Sequence, residues 1–187
     1  MGDRFFLINS LFYKAGLITL DSHHKIKEWK AYANSAGGSV QIHLKTPSDS
    51  HLYTQVKDIL ETFTQKESSP IKHFFTKSEI KSKHHLFGPY SFILEAKDDY
   101  VFGDFIGKKD VIPRSDIQGA YKCDHGFLPS HENLKTLLLG KGPNISQGQV
   151  IDHCNLVDEG PTFARLLNLE FKSCQGHVIK KFIKEED

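Results

Sequence analysis

Between residues 40 and 63 the apolar pattern changes period once, and that change constrains the fold more than any other stretch. Val40, Ile42 and Leu44 alternate with Gln41, His43 and Lys45, the period-2 mark of a strand with one buried face. Pro47 ends it. Leu52, Val56, Ile59, Leu60 and Phe63 then fall at i, i+4, i+7, i+8 and i+11, which predicts an amphipathic helix capped by Ser48 or Asp49. A strand here hands over to a packed helix, so the chain mixes the two elements.

The same reasoning divides the rest of the chain. Phe5, Ile8, Leu11, Phe12 and Ala15 predict a helix over 4–15, and Leu17–Leu20 and Ile26–Ala33 a hairpin around Asp21-Ser22-His23-His24. A short apolar piece follows at Ile71–Phe75, with a brief helix near 78–82. Further strands are expected at 92–94 and 100–102. Gly103–Gly119 reads as a long loop. In the last third, strands are expected at 136–139 and 150–151, a helix at 161–167 with Asp158 or Gly160 as cap, and a closing hairpin from 169–171 and 177–183.

The chain's 187 residues suffice for one domain with a sizeable core. With 24 basic and 23 acidic residues its net charge is +1, too small a field for nonspecific nucleic-acid binding. Neither a nucleic-acid polymer nor a membrane is expected as partner, because no segment is long enough to span a bilayer. The apolar run Phe5–Ile8 is cut by Asn9 and Ser10, too soon for a signal sequence. Cys123, Cys154 and Cys174 cannot all pair internally, so a reducing compartment is favoured, the cytoplasm first. No G-x-S-x-G elbow or P-loop is present, which sets aside serine hydrolases and P-loop nucleotide binders.

Four pieces in order carry a resemblance: Gly37-Gly38-Ser39-Val40 with Ile42-His43-Leu44; Asp124-His125-Gly126-Phe127-Leu128-Pro129; Thr136-Leu137-Leu138-Leu139-Gly140-Lys141-Gly142-Pro143; and Leu156 through Leu167. Together they resemble the C-terminal half of the type I phosphodiesterase/nucleotide pyrophosphatase family, in the alkaline-phosphatase superfamily. The resemblance implies an α/β fold, with a small α+β insertion, cap-like, over residues 1–118 and, over 119–187, the C-terminal part of a three-layer alkaline-phosphatase-like core. It also implies hydrolysis of phosphodiester or nucleotide pyrophosphate bonds with two divalent metal ions, usually zinc, and a Thr or Ser nucleophile.

Of the family's site, only His125 carries over, as a metal ligand; no catalytic or other cofactor-binding residue does. Asp124 is not a ligand by this resemblance. Catalytic zinc needs about three protein donors and an open position, which one imidazole does not supply. The expectation is therefore a fragment or split subunit, inactive alone, whose N-terminal half supplies the nucleophile and the other ligands. The alternative is a noncatalytic interaction module reusing the fold fragment.

Competing sites are weaker. Cys123, His125, His153 and Cys154 have the residue types of a structural Cys2His2 zinc site, but adjacent His153-Cys154 is unlike the spaced pairs such sites use. His23-His24 and His84-His85 read as turn residues, since neighbours on a strand point to opposite faces. Lys141 reads as a solvated lysine, and Asp158 as a helix cap rather than a catalytic carboxylate.

Overall fold

The helical spacing at the start of the chain breaks at Leu7. In the computed structural model Arg4–Phe6 form a strand, β1, and the helix α1 covers only Ile8–Lys14. The cause is nonlocal: Arg4–Phe6 lie between two other strands, parallel to Tyr100–Phe102 and antiparallel to Val111–Pro113. Pairing on both sides outweighs a local preference. The structure describes residues 2–121, 123–131 and 134–184.

The hairpin of β2 (Ile18–Leu20) and β3 (Ile26–Trp29) is turned by Asp21, whose carboxylate accepts from the His23 and Lys25 backbone N–H groups, each at 2.9 Å. The strand expected to run on to Ala33 breaks at Lys30, whose N–H turns to Leu17 O, and β4 (Ala31–Ser35) starts a different sheet. Next come β5 (Ser39–Leu44), α2 (Ser50–Thr64), β6 (Ile71–Thr76), α3 (Lys77–His84), β7 (Phe92–Ala96), β8 (Tyr100–Phe102) and β9 (Val111–Pro113). The last lies inside the stretch expected to be loop. Asp49 caps α2, accepting from Leu52 N–H at 2.9 Å.

The larger sheet has the order β4-β5-β7-β6, with every neighbouring pair antiparallel. β5 and β6 therefore run the same way on either side of β7, and α2 carries the chain across it as a split βαβ unit. Leu52, Val56 and Leu60 of α2 share a core with Val40, Ile42, Leu44, Phe92 and Leu94. Fully burying a side chain of this kind contributes about 1.5–3 kcal/mol. The opposite face of β7 is covered too: Ile93 clusters with Phe75, Ile80 and Tyr90, and Leu128 packs against them.

The chain divides into two compact units, Met1–Leu134 and Lys135–Asp187. Among its described residues the second holds one α-helix, α4 (Glu159–Leu166), 3-10 turns at Leu156–Asp158 and Lys180–Phe182, and an isolated bridge between Ile145 and Ile183. Pro161 sits in the first turn of α4, as expected. The strands expected at 136–139, 150–151, 169–171 and 177–183 are not formed among the described residues. Residues 135–139 make no backbone hydrogen bond to another described residue, and a strand exists only through its partner.

Among the described residues the chain is mixed α/β, with several sheets and four α-helices. No helix among the described residues is long and apolar enough to cross a membrane.

Candidate functional site

His125 stands on a loop that crosses the turn between β4 and β5. Three glycines make that crossing possible. The Gly38 N–H donates to the His125 carbonyl at 2.7 Å, and a Cβ added at Gly37, which has φ +82°, would sit 2.6 Å from the same oxygen. Gly126 has φ +87°, and a Cβ there would collide with the Ala36 carbonyl. The ring of Phe127 lies in the space that a Gly38 side chain would need, and is itself buried.

Two charged side chains fix the loop further. The Arg114 guanidinium pairs with Asp124 at 2.7 Å, donates to the Gly2 carbonyl at 2.5 Å and to the Tyr121 carbonyl, and lies 4.9 Å from the centre of the Phe5 ring. A charge-assisted bond of this kind is about twice as strong as a neutral one. On the other side, the buried Glu95 carboxylate of β7 accepts the Leu128 N–H at 2.7 Å and meets His73 Nδ1 at 2.6 Å. Phe127 also packs on the His131 ring, with centroids 4.8 Å apart.

The backbone around His125 is thus tied to the sheet while the residue itself is exposed. Asp124 is engaged by Arg114, while Cys123 and His125 on either side of it are exposed. No group of three or more His, Cys, Asp or Glu side chains placed to hold a metal ion occurs among the described residues. The three cysteines are free thiols. His23 and His24 lie in the β2–β3 turn, His84 ends α3 and His85 caps it with φ +51°.

Sequence reasoning missed both anchors. Glu95 had a signal, a lone charge in the apolar run Phe92-Ile93-Leu94-Glu95-Ala96; Arg114, in a loop rich in charge, had none. Also missed was Asp104, whose carboxyl burial pushes above its ordinary value although the Ser35 N–H donates to it; Asp104 in turn adds to the burial that raises the Tyr32 phenol.

The chain matches no protein-family model, no curated protein sequence and no solved structure.

Proposed function

We propose that this chain supplies the last metal-ligand loop of a two-metal phosphodiesterase/nucleotide pyrophosphatase, with His125 as its ligand. The remaining donors and the Thr or Ser nucleophile then come from polypeptide beyond these 187 residues. The observation that carries the reading is the asymmetry of the loop: its main chain is held by Gly38 and Glu95 and its Asp124 side chain by Arg114, while His125 between them is exposed. A ligand histidine is oriented through a hydrogen bond from its other ring nitrogen, which on this reading the remaining polypeptide would supply. Zinc suits a neutral imidazole, and two such ions would stabilise the attacking and leaving oxygens of an in-line displacement.

The second unit supports the same reading. Leu137, Leu139 and Val150 are each at least 80% exposed, which suits a surface completed by further polypeptide. On this reading residues 119–187 belong to an alkaline-phosphatase-like core, and the substrate is a nucleotide or another phosphodiester.

The test is reconstitution with the polypeptide encoded immediately upstream. Mixed with it and zinc, the chain should hydrolyse bis(p-nitrophenyl) phosphate, and His125→Ala should lose that activity. A well-folded complex that fails to turn over, or one indifferent to His125→Ala, points instead to a noncatalytic interaction module.

A further inference from the structure

Helix α3 combines positive charge along its length with a fixed apolar tip after its C-terminal end. Lys77, Lys81 and Lys83 are exposed on eight helical residues whose one acidic side chain is Glu79. Glu79 is largely committed elsewhere: its carboxylate accepts from the Thr76 N–H at 2.9 Å and from the Thr76 hydroxyl at 2.8 Å, and stands 3.8 Å from Lys83. The helix then stops at His85, and Leu86 and Phe87 project with 45% and 69% of their surface exposed.

This tip is held out by its anchor. The hydroxyl of buried Tyr90 donates to the Leu86 carbonyl at 2.7 Å, and a Cβ at Gly88 would come within 2.6 Å of the Tyr90 ring. The Lys81 ammonium lies 5.6 Å from the centre of the Phe87 ring, so charge and aromatic surface form one patch.

We propose that this tip docks on an anionic phospholipid surface, with the lysines among the headgroups and Leu86 and Phe87 in the boundary beneath them. Basic side chains beside an exposed aromatic match the two layers of such a surface, negative outside and apolar within. An acidic peptide would satisfy the lysines but would have to bring a pocket of its own for Phe87. The expectation of no membrane partner rests on the absence of a spanning segment, and the near-zero net charge averages over the whole molecule, whereas attraction within a Debye length is set by the local charge. Peripheral docking needs no membrane-spanning helix. The proposal is independent of the function proposed for His125.

The test is co-sedimentation of the 187-residue chain with vesicles of phosphatidylcholine, with or without phosphatidylserine. Binding should be several-fold greater with phosphatidylserine and should fall steeply at about 0.5 M salt. Lys81→Ser and Lys83→Ser should each weaken it about fivefold. Phe87→Ser should weaken it by a comparable factor, and since all three residues are exposed, each variant should keep the parent circular dichroism spectrum. Leu137→Ser/Leu139→Ser serves as control for the other exposed apolar surface and should bind as the parent does. Equal binding to both vesicle types, loss of binding only in that control, or binding to polyglutamate with none to vesicles would each overturn the proposal.

Discussion

The Glu95 carboxylate and the Leu128 N–H lie 2.7 Å apart, and this bond joins the centre of the larger sheet to the loop that presents His125. Glu95 is only 3% exposed, and its other oxygen is used by His73. A carboxylate buried on a strand covered on both faces depends on those donors. Glu95→Ala strands the Leu128 N–H and should cost about 1–3 kcal/mol in urea unfolding. Glu95→Gln keeps one acceptor oxygen and should cost less. In native-state hydrogen exchange the Leu128 amide should quicken in Glu95→Ala while the α2 amides keep their ranking; a uniform change would mean that the bond does not hold the loop specifically.

Asn9 closes the outer edge of the same sheet. Fully buried, its side chain accepts from the Ala33 N–H at 2.8 Å and donates to the Ala33 and Asp104 carbonyls, both at 2.9 Å. The amide thus imitates one residue of a neighbouring strand and blocks the β4 edge at that point. Asn9→Ala should destabilise by about 2–3 kcal/mol, because two backbone groups of Ala33 lose their partners. Asn9→Asp keeps the size but loses both donations and places an acceptor against two carbonyls, so it should be at least as damaging. Urea titration of the two variants decides the order.

The contact between Gly38 and Phe127 predicts a coupled pair. Gly38→Ala drives a methyl group into the Phe127 ring and should cost about 1–3 kcal/mol as an overpacked core does. Phe127→Ala alone removes a buried ring, at about 3–5 kcal/mol. In the double variant the methyl group meets the space the ring has left, so the combined loss should be clearly less than the sum. Additive losses in a double-mutant cycle would show that the turn and the loop do not press on each other.

What could be read from the sequence was what neighbours in sequence decide. The α2 stripe, its Asp49 cap and the alternation of β5 are local patterns, and the fold keeps them. Arg4–Phe6 were misread because Phe5, Ile8 and Phe12 have helical spacing, whereas their pairing partners are some hundred residues further on. For the same reason β9 was invisible inside a loop of glycine, proline and charge. The contacts that tie the His125 loop to the sheet could not be read either: Glu95 and Leu128 are 33 positions apart. The strands expected after residue 135 had the right composition, yet composition supplies no partner for backbone hydrogen bonds.

Asp158 should make the second unit sensitive to acid. The sequence suggested a cap for α4, but the side chain makes no capping bond to that helix. Its carboxylate instead accepts the His177 N–H at 2.9 Å and the Asn155 N–H at 3.1 Å. These bonds, the one from His177 foremost, hold its pKa below the ordinary 3.8. Because the folded value is the lower one, the stabilisation is fully present above the unfolded value and is lost as pH falls through the folded value. The His177 amide resonance, followed by NMR from about pH 6 to about pH 2, should therefore shift with a midpoint below 3.8. Asp158→Asn should flatten that titration and weaken the attachment of residues 176–179 at neutral pH, where the charge is otherwise in place. A midpoint at or above the ordinary value would mean that the two N–H groups do not hold the carboxylate.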